Sequence, residues 1–337
     1  MELSARDTWQ FVMSDSYGSH LNWAPPSNGD WPLVTIAIPT FNRAKSLKRA
    51  VESALAQDYP SIEIIISDNA STDATEKYCR GLEGKDRRIR YFRQLRNVGI
   101  TENFRATLRY ACGEFFMWLA DDDWIELGYV SCGVKRLLHC SNTVLSCGSA
   151  VLHLSEGKLH KGTVVNALSS IPFLRVLWYL AIVRDNSCFY GLYRRRALEK
   201  TNLRNVLAAD WLVVAGMALL GKVYTDETIS IHRAVDGVSS SVDKITKALG
   251  LSHRRTYFPT LAISVEIFLE IVSNDRMFGT LGVLQRSALA VTSAGTVLIF
   301  QGVVWKAWVL SSRMLTMSLG EARASLLRQW LRRVIGV

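Results

Sequence analysis

The chain has 337 residues, 49% of them hydrophobic and 21% charged, enough apolar material for one large domain with an appendage or for two domains, which excludes a disordered polypeptide. Its six cysteines, Cys79, Cys112, Cys132, Cys140, Cys147 and Cys188, form no CxxC pair and no finger spacing; with no signal peptide ahead of them they read as reduced thiols of a cytoplasmic protein, and no zinc site is expected. The net charge of +10 is uneven: residues 231–337 hold 13 Lys and Arg against 6 Asp and Glu, and residues 1–230 hold 27 against 24, so the basic excess of the C-terminal third suits an anionic surface or plain solvation.

Residues 1–30, ending in PPSNGD, show no sustained periodicity and are expected to form a lead-in segment that closes in a loop. LVTIAIP (33–39) is a short apolar, β-branched run stopped by proline and predicts a buried strand. AKSLKRAVESALAQ (44–57) then places Leu47, Ala50, Val51, Ala54 and Leu55 at helical spacing. IEIIIS (62–67) predicts a second buried strand, followed by Asp68 and Asn69 and by a helix that Ser71 or Asp73 caps. IRYFRQL (89–95) predicts a third strand, 101–111 a third helix and EFFMWL (114–119) a fourth strand. Strands alternating with helices predict an α/β domain over 31–233 with a mainly parallel central sheet and helices on both faces, then a helical region over 234–337.

Ligands of such sheets bind outside the carboxyl ends of the strands. Polar residues fall there: Pro39, Thr40, Phe41 and Asn42 after the first strand, Asp68 and Asn69 after the second, Arg96 and Asn97 after the third, and Asp121, Asp122 and Asp123 after the fourth. No GxGxxG and no GxxxxGK[ST] follows the first strand, so neither a dinucleotide-binding glycine loop nor a P-loop is present. Three adjacent carboxylates repel one another and need neutralising. A divalent cation such as Mg2+ or Mn2+, shared between them and a ligand's diphosphate, would do this; a solvated turn is the alternative.

The blocks VTIAIPTFNRAKSLKRAVESALAQDYPSIEIIISDNASTDAT, RNVGITENF and ACGEFFMWLADDDW resemble, in order and spacing, the nucleotide-sugar domain of glycosyltransferase family 2, an inverting family with the GT-A fold; the resemblance runs from Val34 to Arg233. It implies a Rossmann-like sheet, a Mn2+ or Mg2+ cofactor, a nucleotide-sugar donor and an acceptor that is a glycan or lipid-linked, in the synthesis of a bacterial-type surface glycan. UDP is the carrier to expect first, with GDP and dTDP open, and nucleic acid is not an expected partner. The resemblance further implies that Thr40 and its neighbours line the base pocket, that Asp68 accepts a hydrogen bond from the base, that Asp121 lies near the ribose and that Asp122 or Asp123 holds the metal. Many members write the acidic motif as Asp-x-Asp-Asp, where this chain has Ala120 in the first position; aligning on Trp124 favours Asp122 and Asp123, whereas an Asp-Asp pair would match Asp121 and Asp122. Asn97 and Gly99 either belong to the nucleotide site or only shape a turn, and Asp73 reads as a helix cap.

Downstream, SCFYGLYRRRAL (187–198) reads as a strand and AADWLVVAGMALLG (208–221) as an apolar helix with one acid near its start, Asp210, in the region where the family places its catalytic base. The macrodipole would also favour an acid there. Asp210 has an apolar helix behind it and Trp211 beside it as a sugar-stacking candidate, a combination that Glu126, Glu156, Asp185, Glu199, Asp226 and Glu227 lack; Asp185 is the next choice of base. His232, after the strand-like TISIHR, is either a metal or diphosphate ligand or an ordinary packing residue.

The uncharged run 287–305 contains Thr292, Ser293, Gly295, Thr296, Gln301 and Gly302 and reads as part of a core helix pair rather than a membrane span. EARASLLRQWLRRVIGV (321–337) sets Leu326, Leu327, Trp330, Leu331, Val334 and Ile335 at helical spacing with arginines between them, the pattern of a helix lying on a membrane surface, of an oligomer contact or of a helix docked on the body. A cytoplasmic enzyme, peripheral at the inner face of the cell membrane, is the expectation. The competing functions are a non-catalytic binding or scaffold protein of the same fold and a nucleotidyltransferase, although PTFNRAK lacks the Gly-rich basic loop of the latter.

Overall fold

A computed structural model of the chain describes residues 31–154, 157–234 and 241–304. The expected lead-in segment (1–30) and the arginine-studded stretch 321–337 lie outside the described residues.

Among the described residues nine strands form one sheet: β1 (Val34–Thr40), β2 (Ile62–Asp68), β3 (Ile89–Arg93), β4 (Phe115–Trp118), β5 (Trp124–Ile125), β6 (Thr143–His153), β7 (Leu159–Lys161), β8 (Leu192–Arg194) and β9 (Lys222–Ala234). Their order is β3-β2-β1-β4-β8-β6-β9-β5, with β7 added on β6. β1, β2, β3 and β4 pair in parallel, as the alternation of strands and helices predicts. β8 enters antiparallel between β4 and β6 and ends that run; beyond it β6 and β9 are parallel to each other, while β5 and β7 are antiparallel additions. The sheet is therefore parallel in its N-terminal half and mixed in the other.

The period-two alternation of strand side chains assigns the two faces. Ile36, Ile38, Ile64, Ile66, Phe115 and Met117 point into one buried cluster, covered by α1 (Ala44–Leu55) and α4 (Tyr129–His139). Their neighbours Ala37, Ile65, Phe116 and Trp118 point into the other. Every residue of β1 and β2 is buried, which is why both read as continuous apolar runs rather than alternating ones. The α2 (Thr75–Glu83) and α3 (Ile100–Tyr110) helices complete the parallel crossovers.

On the second face lie α5 (Pro172–Ile182) and α6 (Ala209–Leu220); of the C-terminal helices α7 (Pro259–Ser273) and α8 (Val283–Thr296), which pack on each other, α8 lies against α5 and continues as a π-helical segment, Val297–Val304. Ile267, Ile271, Leu289 and Val297 share one core with Val213 and Met217 of α6. The stretch expected as a single strand over 187–198 is instead a 3-10 turn (Ser187–Tyr190), then β8, then a helical turn (Arg195–Leu198). Hydrogen bonds from the Ser187 amide to Asp185 and from Phe189 N to Asn186 O close that turn before the strand can start.

Candidate active site

The carboxyl ends of the parallel strands meet at one edge. Thr40 is in register with Asp68, and Asp68 with Arg93, while the Leu119 amide donates to Ala37 O at 2.9 Å, so the chain after β4 runs on alongside the end of β1. Buried Asn103 of α3 locks the edge: its amide donates to Ser67 O (2.9 Å) and its oxygen accepts the Ser67 hydroxyl (2.7 Å).

The three aspartates sit on a tight turn closed by the Asp123 amide donating to Ala120 O at 3.1 Å. The turn splays them toward three different partners. Asp121 Oδ2 accepts the Thr40 hydroxyl at 2.7 Å. Asp122 Oδ2 accepts Arg43 Nη1 at 2.7 Å, and its carbonyl accepts Arg49 at 3.0 Å. Asp123, buried, accepts Arg233 Nε at 3.3 Å and the Ala234 amide at 3.0 Å. Burial pushes the Asp121 carboxyl up to about 6, against the Thr40 hydrogen bond and with the charge of Asp122 adding to the rise. Burial likewise pushes Asp123 up to about 7, against the pull of Arg233 and with Asp122 again adding. Asp122 is the acid that reaches the rim, its side chain 19% exposed beside Arg43 at 34%.

The loops after β1 and β2 are stitched together. The Asn42 amide donates to Ser71 Oγ (2.8 Å), Asn42 Oδ1 accepts the Thr72 amide (2.7 Å), and Asp73 accepts from the amides of both Thr75 (3.0 Å) and Ala44 (3.2 Å), so it caps two helix starts at once. Asn42 and Ala70 hold φ values of +52° and +62° to make these turns. Pro39 and Thr40 are buried, whereas Phe41 is exposed on the rim. Beside them opens a cavity of about 560 Å3 lined by Asn42, Arg43, Lys45, Ser46, Arg49 and Asp73. The amino terminus of α1 and three cations border this space, and Arg43 and Arg49 also touch Asp122.

Asp68 lies beneath this surface: it is fully buried, with one oxygen accepting the Ser71 amide (2.8 Å) and the other the Tyr91 hydroxyl (2.6 Å). Here it holds the β2 loop in place. Asn97 Oδ1 accepts Asn69 Nδ2 (2.9 Å) and the Gly99 amide (2.9 Å), with Gly99 at φ +86° ahead of α3, so these residues shape the turn.

His232 is not brought to the aspartates. Trp124 and His232 are paired across β5 and β9, their rings stacked 4.9 Å apart at 2°. Arg49 caps the Trp124 ring at 3.4 Å, and the imidazole nitrogens of His232 bond Glu126 (3.2 Å) and His153 (3.0 Å). Its neighbour Arg233, on the other face of β9, reaches the acids instead. The signal for Arg233 was a lone basic residue at a strand end, and the adjacent histidine masked it.

Arg233 joins the acidic turn to the Asp185–Ser187 turn, whose Asn186 holds Asp210. Its guanidinium also donates to Ser187 Oγ (3.0 Å) and lies over the Tyr190 ring at 4.7 Å. Asp210 occupies the first turn of α6, where its Oδ2 accepts Asn186 Nδ2 at 2.8 Å; Asn186 in turn accepts the Tyr179 hydroxyl at 2.8 Å, which fixes the amide's orientation. Burial raises the Asp210 carboxyl, with Asn186 and Arg233 opposing the rise. Asn186 and Ala208 adopt φ values of +48° and +58°, so strained backbone is concentrated around this acid as it is around the β1 and β2 loops. Trp211 packs against the core rather than standing beside Asp210 as an open ring, whereas Tyr190 lies under the Arg233 guanidinium. Asp185 is engaged elsewhere: although burial opposes it, hydrogen bonds from Ser187 and the Thr163 amide (2.6 Å) hold it below the usual carboxylate range.

Among the described residues no group of three or more His, Cys, Asp or Glu side chains is disposed to hold a metal ion, so a closed protein cage does not fit. A cation that keeps most of its shell as water and phosphate oxygens fits better, because Asp122 stands at the rim with Asp121 behind it. Asp123, held by Arg233 and Ala234, is less available than the sequence motif suggested.

The Glycosyl transferase family 2 profile matches residues 35–201. Over 204 residues the chain is 39% identical to GalNAc(5)-diNAcBac-PP-undecaprenol beta-1,3-glucosyltransferase of Campylobacter jejuni, covering 60% of this chain and 63% of that one. It is 34% identical over 215 residues to chondroitin synthase of Pasteurella multocida, covering 64% of this chain and 22% of that one. The chain thus spans less than two thirds of the length of either relative. Among solved structures, S. aureus TarS 1-349 superposes with a TM-score of 0.55 at 16% identity over 80% of this chain and 72% of that one. Mannosyltransferase PcManGT of Pyrobaculum calidifontis, in complex with GDP-Man and Mn2+, gives 0.51 at 15% identity over 98% and 88%. At these identities the likeness is one of fold, a GT-A-like sheet with helices on both sides.

Proposed function

We propose that the chain, which carries a Glycosyl transferase family 2 domain over residues 35–201, is a glycosyltransferase that moves a sugar, with inversion, from a nucleoside diphosphate to an acceptor hydroxyl. The observation that carries this reading is the division of acids across Arg233. Asp122 stands at the rim beside the basic start of α1, and Asp210 stands apart from it, held by Asn186 on α6.

The roles follow from that division. Thr40, Asn42 and the stitched loops form the nucleotide wall, with Asp121 behind Thr40. Arg43, Arg49 and the α1 amino terminus supply positive charge where a diphosphate would lie, and Asp122, backed by Asp121, would hold a Mn2+ or Mg2+ ion. Such an ion, when bound, offsets charge on the leaving diphosphate. On the other side Asp210 takes the proton of the acceptor hydroxyl as that oxygen bonds to the anomeric carbon and the bond to the diphosphate breaks. A carboxyl raised by burial is a better base than an ordinary one. Arg233 holds Asp123 in place between the two halves. A thermal-shift screen of UDP-, GDP- and dTDP-sugars with and without Mn2+ should find one donor that stabilises the protein more with the metal, followed by release of its nucleoside diphosphate on adding acceptor. No stabilisation by any nucleotide would contradict the reading.

The Campylobacter relative is named for a polyprenyl-diphosphate-linked acceptor, and a lipid-linked acceptor in surface-glycan synthesis at the cytoplasmic face of the membrane is the acceptor class we favour for this chain.

A further inference from the structure

The outer face of the C-terminal helices has no part in the transfer chemistry, yet it exposes many large apolar side chains. Val283–Gly302 is long and apolar enough to cross a membrane; it pairs with α7 as its sequence suggests, but only 22% of its apolar window is buried, so the pair is half exposed rather than enclosed. It is also tied to the body near both ends. Arg286 donates to Ile271 O (2.6 Å) and Asp275 (2.7 Å), and Gln301 donates to Leu180 O and Val183 O, both at 2.9 Å. Leu289, Ala290, Ser293 and Val297 seal the inner side at 0% exposure. A helix anchored in this way presents a stripe outward instead of spanning.

That stripe includes Leu284, Val291 and Ile299. On α7, which packs against α8, Leu261, Val265, Phe268 and Val272 form a second one at helical spacing, while Ile267 and Ile271 turn inward. α5, the other neighbour of α8, adds Leu174 and Trp178, and Tyr257 and Phe258 stand exposed just before α7. A continuous apolar surface of this extent marks an interaction site, and aromatic side chains at its margin suit a lipid headgroup region.

Charge selects the occupant. Residues 231–337 carry +7, and residues 241–304, which include both helices, hold six Lys and Arg against four Asp and Glu. A second copy would bring the same positive region against itself in a two-fold interface, whereas anionic headgroups complement it. We propose that this face docks the protein on an anionic lipid bilayer, with α7 and α8 lying in the plane of the interface. The inner sides of these helices share one buried cluster with α6, which carries Asp210.

The test is flotation of the full chain with vesicles of phosphatidylcholine alone and of phosphatidylcholine with phosphatidylglycerol, a readout that does not require transfer activity. Expected is flotation with the anionic vesicles that high salt weakens, and a loss of bound protein of about tenfold or more for Phe268→Glu with Leu284→Glu. The uncharged pair Val265→Gln with Val291→Gln should lose binding in the same direction, and both variants should melt as the wild type does, since the altered side chains are exposed. Wild-type failure to float, or variants that float as the wild type does, would overturn the proposal. So would a wild-type dimer in analytical ultracentrifugation that the same substitutions split without any effect on vesicles.

Discussion

Arg233 Nε lies 3.3 Å from Asp123 Oδ2 across 110 residues of sequence, joining the end of β9 to the acidic turn after β4. Both groups are buried. Removing one partner leaves the other as an unpaired buried charge, which typically costs about 3–5 kcal/mol. Arg233→Met should therefore destabilise the protein strongly in denaturant melts, and Asp123→Asn in the same chain should recover part of the loss. Additive losses in the double variant would mean that the two residues act independently.

Asp122 is expected to act differently. Asp122→Ala should leave stability within about 1 kcal/mol, because its partner Arg43 is partly exposed. It should nevertheless weaken donor binding in the presence of Mn2+ and leave metal-free nucleotide binding nearly unchanged, as measured by calorimetry. His232→Gln should keep the metal dependence, since His232 stacks on Trp124 and bonds Glu126 and His153. Loss of metal dependence in His232→Gln with wild-type behaviour of Asp122→Ala would reverse these assignments.

The pH dependence follows from Asp121. Its folded carboxyl titrates at about 6 and an unfolded one at about 4, so the folded state binds the proton more tightly. Its contribution to stability is fully present below the unfolded value and is lost as pH rises through about 6. Discounted for partial exposure, the change is about 1–3 kcal/mol. In chelator, Asp121→Asn should flatten the fall in melting temperature between about pH 4 and 6; an unchanged slope would assign the fall to other groups.

Ala208 holds φ +58° directly before α6. Left-handed backbone costs a residue with a Cβ roughly 1 kcal/mol that glycine avoids. Ala208→Gly should therefore raise stability by a few tenths to about 1 kcal/mol by chemical denaturation, and a decrease would show that the strain is offset by contacts of the methyl group.

The parallel half of the sheet was legible because β1, β2 and β4 are continuous apolar runs ending in polar residues, and the register Thr40 to Asp68 places those ends together. The mixed half was not. β6, TVLSCGSAVLH, mixes small polar and apolar residues at positions that are nearly all buried, and α5 is apolar on most sides, so neither carries a clean period. The polar residues could be placed at the edge, but their partners could not. Thr40 with Asp121, Arg43 with Asp122, and Asn186 with Asp210 are contacts between segments far apart in the chain. Asp68 shows the converse: its position at a strand end was readable, and its enclosure by Ser71 and Tyr91 depends on packing that no local pattern encodes.

The central claim is that Asp210, oriented by Asn186 and Tyr179, is the general base. It is tested most directly by measuring transfer and donor affinity together on Asp210→Asn. General-base catalysis contributes about 10²- to 10⁴-fold, so transfer should fall by that factor, about 3–5 kcal/mol of transition-state stabilisation, while donor affinity stays at the wild-type value. Transfer at the wild-type rate by Asp210→Asn would contradict the claim.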